Sequence, residues 1–106
     1  MADRTRQVVW TEAARNDLDS VLEYIAEDSP QAAANLLDHF LRAAESLARL
    51  CERGRVVPEL DDPAIRETFV HSYRILYEVA DAEVRIVGVL HGARDFDRWL
   101  RGRETK

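Results

Sequence analysis

The residues best suited to chemistry lie near the C-terminal end of the sequence, where ionisable side chains cluster. His91 and Arg94 belong to the run His91-Gly92-Ala93-Arg94-Asp95, which directly follows an apolar stretch. Strand ends and loops on a rigid sheet commonly present functional groups. An imidazole can act as a general base, and a guanidinium can hold a phosphate or carboxylate with two hydrogen bonds. This segment therefore predicts either acid–base chemistry or the binding of an anionic group.

Three more arginines could contribute to the same site. Arg66, Arg74 and Arg85 fall on successive predicted strands, so we expect them to align across one face of a sheet. Two interpretations remain open: these arginines are solvated or salt-bridged, or they bind an RNA backbone or an acidic partner. The acids available for salt bridges are Glu67, Glu78 and Glu83.

Most other catalytic templates are missing from the sequence. It has no phosphate loop, no dinucleotide glycine fingerprint and no nucleophile elbow around a serine. One cysteine, Cys51, and three scattered histidines do not match the spacing of a usual zinc site. Because the only lysine is Lys106, no lysine inside the domain can act as a base or form a Schiff base. We therefore expect no metal, no cofactor and no hydrolase triad.

Length, charge and hydropathy narrow the class of protein. The 106 residues predict one domain, 1–106, with a frayed tail from about 101 to 106. No apolar run approaches the roughly 20 residues of a membrane span, and the N-terminus lacks the apolar core of a signal peptide. We expect a cytoplasmic protein with Cys51 reduced in the core. The net charge of -5 argues against a dedicated nucleic-acid binder, although the tail is basic.

The elements that position the candidate residues begin with a strand and two helices. Gln7–Trp10 is rich in β-branched and aromatic residues, which is typical of a strand. Thr11 is the predicted N-cap of an amphipathic helix of about 17 residues. The Ser29-Pro30 pair predicts the start of a second helix, which continues to about Arg53 and stops at Gly54. Since the turn between the helices is short, they must form an antiparallel hairpin.

The second half of the sequence predicts strands. Arg55–Pro63 resembles an extended linker, and strands are expected at Ile65–Val70, Tyr73–Ala80 and Glu83–Leu90. A helical turn is expected at Asp95–Leu100. The predicted fold class is α+β: an N-terminal strand and an antiparallel helical hairpin pack on an antiparallel sheet of three to four strands, followed by a short C-terminal helical turn.

The last predicted strand is apolar on both faces. Regular alternation places Val84, Ile86 and Leu90 on one face and Val87 and Val89 on the other. Strands that are apolar on both faces are buried on both sides. We therefore expect this strand to lie in the interior of the sheet.

The two strand motifs resemble a known family. The pattern YRILYEV, a turn and then VRIVGVLHGARD, preceded by a helical hairpin and a strand that contains IRE, is similar to the ParE branch of the RelE/ParE toxins. The resemblance covers nearly the whole chain, from VVWTEAARNDLDSVLEYIA through HGARDFDRWL. It implies a toxin of a bacterial type II toxin-antitoxin system. It also implies an antitoxin, ParD-like or other, that wraps round the toxin as a hetero-oligomer and alone carries the contact with operator DNA.

The resemblance leaves two targets open. ParE-like toxins are associated with poisoning DNA gyrase, whereas RelE-like toxins cut messenger RNA in the ribosome. In a nuclease, Arg74 would match the arginine of the YR motif, Arg94 the arginine after the last strand, and His91 would act as the base. No lysine lies in Gly54–Val70, however, and Phe96 and Trp99 stand where RelE-like proteins have a late tyrosine.

We therefore expect a gyrase inhibitor that works by protein binding, with a ribosome-dependent endoribonuclease as the alternative. A third possibility is a toxin-like domain that has lost its activity and remains a partner of its antitoxin. The expected partner contacts are cationic residues, one histidine and one tryptophan: Arg66, Arg74, Arg85, His91, Arg94, Arg98, Trp99 and Arg101.

Overall fold

The computed structural model describes residues 5–60, 62–92, 96 and 100–101. The elements in chain order are β1 Gln7–Trp10, α1 Glu12–Asp28, α2 Pro30–Leu50, β2 Arg55–Val56, β3 Ile65–Val70, β4 Tyr73–Val79 and β5 Glu83–His91. The α+β class and the order of strand, helical hairpin and sheet are as predicted. No helix in the described part of the chain is long and apolar enough to cross a membrane.

Both helices begin at the predicted caps. The Thr11 hydroxyl accepts a hydrogen bond from the Ala14 N–H at 3.1 Å, and the Ser29 hydroxyl accepts one from the Ala32 N–H at 3.1 Å. Each bond satisfies a backbone donor that the first helical turn leaves without a partner. Ser29 also closes α1, because its own N–H donates to the Ile25 carbonyl. A single residue thus ends one helix and starts the next.

The end of α2 differs from the prediction. The helix ends at Leu50, earlier than the expected Arg53, and Gly54 does not adopt a positive φ. Gly54 is required for a different reason, which is the close approach of other groups. A Cβ atom at this position would lie 2.2 Å from the Tyr77 hydroxyl and 2.5 Å from the Glu67 carbonyl oxygen.

The sheet has five strands in the order β1-β5-β4-β3-β2. The antiparallel pairs are β2–β3, β3–β4 and β4–β5, but β1 runs parallel to β5, so the sheet is mixed and not purely antiparallel. The strand that was not predicted is β2, which lies in the segment expected to be a linker. Local sequence patterns could not predict β2, because a strand of two residues has no periodicity. They could not predict the parallel pairing of β1 either, because strand direction depends on the path of the whole chain.

A β-bulge at Val87 changes which residues of β5 face the helices. Leu76 pairs with Gly88 and Tyr77 with Ile86, so two consecutive residues of β4 lie opposite three of β5, and Val87 is the extra residue. The extra residue shifts the alternation beyond it. Val89 therefore joins Val84 and Ile86 in the core under the helices, whereas Leu90 faces the opposite side, contrary to the regular alternation predicted. The predicted interior position of β5 is confirmed, since it lies between β1 and β4.

The sheet carries an apolar cluster on each face. The larger cluster packs under α1 and α2 around Phe40, Ile75 and Tyr77. The smaller one, on the other face, contains Val57, Leu76, Leu90 and Phe96. Phe96, Leu100 and Arg101 are helical, in line with the predicted C-terminal turn, and Phe96 and Leu100 pack on the second face.

Candidate functional site

The predicted partner contacts occupy several different environments. Arg94, Arg98 and Trp99 lie outside the described residues. Arg101 is exposed on the C-terminal turn. The other four, Arg66, Arg74, Arg85 and His91, lie on β3, β4 and β5.

Arg74 is buried in an ionic network on the sheet face opposite the helices. Its guanidinium donates to Glu67 at 2.7 Å and to both carboxylate oxygens of Glu59, at 2.9 and 3.2 Å. Arg74 is only 5% exposed and Glu67 only 1%. Arg55 donates to the second oxygen of Glu67 from the solvent side. Two arginines and two glutamates thus balance each other in charge at this point.

The network shifts the pKa values of Arg74 and Glu59. Desolvation lowers the pKa of Arg74, but the hydrogen bonds that Arg74 donates to Glu59 and Glu67 and the charges of these acids outweigh it, so the net pKa lies above the ordinary value. The hydrogen bond from Arg74 holds the pKa of Glu59 below its ordinary value of 4.5. Both pKa shifts favour the ionised forms of Arg74 and Glu59, so this pair stays charged across the physiological pH range.

Aromatic rings cover the two arginines of this network. The Arg74 guanidinium carbon lies 5.2 Å from the centre of the Phe96 ring, and that of Arg55 lies 5.9 Å from the centre of the Phe69 ring. Both distances fall within the range of cation–π attraction. Phe96 is buried whereas Phe69 is 51% exposed. The C-terminal segment therefore helps to shield Arg74 from solvent.

Arg85 forms salt bridges, which agrees with the first of the two interpretations of the strand arginines, that they are solvated or salt-bridged. Its guanidinium donates to Glu78 and to Glu83, each at 2.6 Å. The hydrogen bond with Glu83 is the main cause that raises the pKa of Arg85. The arginine and both acids remain partly exposed, at 38%, 37% and 32% of the side chain. Such surface pairs stabilise a fold only weakly, so the guanidinium can exchange partners at little cost.

Arg66 does not lie on the same face as Arg74, contrary to the expected alignment of three arginines. It is paired with Tyr77, whose side chain packs under the helices. The Arg66 guanidinium donates to the Gly54 carbonyl at 2.7 Å, and the Tyr77 hydroxyl donates to the Cys51 carbonyl at 2.7 Å. Both side chains thus hold the segment that follows α2. Desolvation raises the pKa of Tyr77, which keeps its hydroxyl protonated as a donor.

His91 lies at the exposed end of β5 and lines a groove of about 640 Å³ beside α1. Its ring meets the ring of Tyr73 edge to face, with 5.2 Å between centroids. Across the groove, Asp17 accepts a hydrogen bond from the Val89 N–H at 3.0 Å, and Tyr24 is 73% exposed. The sequence analysis did not single out Asp17 or Tyr24, because helical periodicity does not indicate which strand end a residue of α1 will face.

A second groove of about 470 Å³ runs along the outer edge of the sheet. It lies between β1 and the helices, and its apolar lining comes from Val8, Trp10, Leu18 and Leu41. Leu41 is 50% exposed, and among the described strands β1 pairs only with β5, at one edge of the sheet. The groove thus combines open apolar surface with backbone groups that an added strand could pair.

A helical hairpin packed on a β-sheet is the architecture that the RelE/ParE resemblance implies, and comparisons with known proteins agree with that family. Residues 8–96 match the family described as ParE toxin of type II toxin-antitoxin system, parDE. Toxin RelE2 of Caulobacter vibrioides is 44% identical over 89 residues, which cover 83% of this chain and 97% of that protein.

Two solved structures share the fold. The chromosomal ParDE system from P. aeruginosa matches with a TM-score of 0.69 and 19% identity, covering 83% of this chain and 97% of the other. The RelBE2 toxin-antitoxin complex from Mycobacterium tuberculosis matches with a TM-score of 0.59 and 25% identity, covering 85% and 94%. The chain belongs to the ParE toxin family, in the RelE/ParE superfamily of type II toxin-antitoxin toxins.

Proposed function

We propose that this toxin acts by binding a protein target, DNA gyrase, and does not cut RNA itself. The observation that carries the proposal is the environment of Arg74, which is 5% exposed and held by Glu67 and Glu59. A nuclease of the RelE kind needs this cation free to stabilise charge on the phosphate in the transition state. Here an RNA phosphate would have to displace Glu59 and compete with a buried Glu67.

The surface left for a target lies around the end of β5. His91 and Arg101 are both exposed, and the basic residues Arg94 and Arg98 follow His91 in sequence. Basic residues at an interface steer an acidic partner and fix its orientation. We therefore assign the gyrase contact to this C-terminal part of the chain.

The test is supercoiling of a relaxed plasmid by purified gyrase in the presence of the toxin. We expect loss of supercoiling or accumulation of cleaved DNA, and a weaker effect of the His91→Ala and Arg101→Ala variants. Arg49→Ala is the matched control, because Arg49 is an exposed arginine on α2, away from this surface. No effect at any toxin concentration on gyrase or topoisomerase IV would contradict the proposal.

A ribosome-dependent endoribonuclease is the second candidate. The observation that favours it is the exposed His91, whose imidazole packs against Tyr73 in the 640 Å³ groove and has the chemistry of a general base. A translating extract with a reporter transcript tests this function. Toxin-dependent cleavage that disappears in His91→Ala would support it, and cleavage that survives His91→Ala and Arg94→Ala would rule out these residues.

The toxin is proposed to be neutralised in the cytoplasm by a cognate antitoxin that covers the groove beside β1. An antitoxin segment could pair with the edge of β1 and place apolar side chains against Trp10 and Leu41. Leu41→Glu should weaken antitoxin binding by about tenfold or more, since it buries a charge in an apolar interface. Leu50→Glu is the control, because Leu50 is similarly exposed on α2 but does not line the groove. Equal affinities of the two variants would place the antitoxin elsewhere.

A further inference from the structure

Two histidines that are far apart in sequence meet on the surface. His39 lies on α2, and His71 lies in the turn between β3 and β4. The distance from Nδ1 of His39 to Nε2 of His71 is 2.9 Å, and the ring centroids are 4.8 Å apart with the planes tilted by 51°. Both residues are exposed. Neither belongs to the surfaces assigned above to gyrase or to the antitoxin.

His71 has a left-handed backbone conformation in the turn that places it beside His39. Its φ is 55°, and it is the only residue other than glycine with a positive φ among the described residues. Glycine or asparagine is preferred in this left-handed conformation. From this turn of two residues the His71 ring faces α2, which brings its Nε2 atom next to Nδ1 of His39.

The spacing of the two nitrogens fits adjacent ligands of one metal ion. When two metal–nitrogen bonds of about 2.05 Å meet at a right angle, the two nitrogen atoms lie about 2.9 Å apart. At a tetrahedral angle the nitrogen atoms lie about 3.3 Å apart. The observed 2.9 Å matches the right angle. Square-planar and tetragonal sites with nitrogen ligands are typical of Cu²⁺ and Ni²⁺, whereas Zn²⁺ prefers a tetrahedron.

We propose that His39 and His71 form a surface site for Cu²⁺ or Ni²⁺. In the metal-free pair one nitrogen donates its proton to the other in a hydrogen bond. On binding, that proton moves to the other nitrogen of the same ring, so both facing nitrogens offer lone pairs and the proton count is unchanged. Because both side chains are exposed, their rings can turn toward the ion without a change of backbone.

Water supplies the remaining ligands of the proposed ion. Among the residues that the structure describes, no group of three or more His, Cys, Asp or Glu side chains is placed to hold a metal. The neighbouring carboxylate of Asp38 is paired with Arg42 at 3.0 Å. A site of two histidines and water binds less tightly than a closed site, and it ties α2 to the β3–β4 turn whenever the ion is present.

Isothermal titration of the untagged protein with NiCl₂ or CuCl₂ tests this proposal. We expect one ion per chain, affinity lowered on the order of tenfold or more in His39→Gln and in His71→Asn, and a rise in Tm of the wild type that EDTA reverses. His91→Gln is the matched control and should bind like the wild type, because His91 is the third histidine of the chain and is also exposed.

Amide spectra supply a readout that needs no variant. Paramagnetic Cu²⁺ at low ratio should broaden the resonances of His39, His71 and their neighbours first. Broadening centred on His91, or affinity that is unchanged in the double variant His39→Gln/His71→Asn, would overturn the proposal. So would the lack of any binding by the wild type at millimolar metal.

Discussion

At the scale of single residues, the ionic network around Arg74 is the most consequential feature. Arg74 stands in the YRILYEV motif that identifies the family, yet its guanidinium faces two glutamates inside the protein. The motif predicted a functional cation. Its burial could not be predicted, because Glu59 comes from a segment without periodicity and Glu67 was counted only among possible surface partners.

Glu67→Gln should destabilise the fold strongly. The change leaves the buried Arg74 with one carboxylate partner, and removal of one member of a buried ion pair costs about 3 kcal/mol. Denaturant unfolding at neutral pH measures the loss. Glu78→Gln is the control, since Glu78 pairs with Arg85 at the surface, and it should change stability little. Equal effects of the two variants would show that the network around Arg74 is not effectively buried.

Glu59 should make stability depend on pH in the acid range. Its pKa is lower in the folded chain than the ordinary 4.5, so its pair with Arg74 stabilises the protein fully above that value. The stabilisation is lost as the pH falls through the folded-state pKa. Unfolding free energies of wild type and Glu59→Gln should therefore differ at neutral pH and converge in acid. A constant difference at all pH values would contradict this assignment.

At the scale of elements, caps and periodicity predict the helices well but predict the sheet only in part. Thr11 and Ser29 mark both helix starts, because capping is a local hydrogen bond. The bulge at Val87 leaves no mark in an apolar run, since Val87, Val89 and Leu90 suit either face. Similarly, the pair of His39 and His71 joins residues 32 positions apart, a distance over which no local pattern operates.

Deletion of Val87 tests the importance of the bulge. Without Val87, Gly88 follows Ile86 directly and β5 alternates regularly, so Val84, Ile86 and Val89 still face the helices and Leu90 still faces the opposite side. We therefore expect the deletion variant to unfold cooperatively in denaturant. Val87→Ala keeps the bulge and should cost only about 1 kcal/mol, since it removes part of one side chain from the smaller cluster. A deletion that abolishes cooperative unfolding would mean that the bulge itself is required for the fold.

Gly54→Ala should destabilise the junction between α2 and the sheet. The new methyl group would overlap the Tyr77 hydroxyl and the Glu67 carbonyl oxygen, and the second of these is backbone that cannot turn away. Overpacking of this kind costs about 1–3 kcal/mol. Thermal unfolding measures the loss, and Gly54→Ala combined with Tyr77→Phe should recover only part of it, because the backbone clash remains. Full stability of Gly54→Ala would contradict the close approach.

At the scale of the whole molecule, the sequence identified the family and the class of fold, and the structure adds where a partner can dock. The helices and the sheet form two grooves that α1 lines in common: the apolar groove beside β1 and the groove at the exposed end of β5 with His91. Composition could not reveal these surfaces, because exposure is decided by packing between elements. The two sets of lining residues do not overlap, so the proposed contacts with antitoxin and target predict that substitutions in one groove leave binding at the other unchanged.

The central claim is that the toxin acts on gyrase through protein contacts and leaves RNA intact. The most direct measurement assays one toxin preparation for gyrase supercoiling and for cleavage of a reporter transcript in a translating extract. The account predicts that supercoiling is lost at toxin concentrations that leave the transcript uncut. Transcript cleavage at concentrations that leave supercoiling unchanged would contradict it.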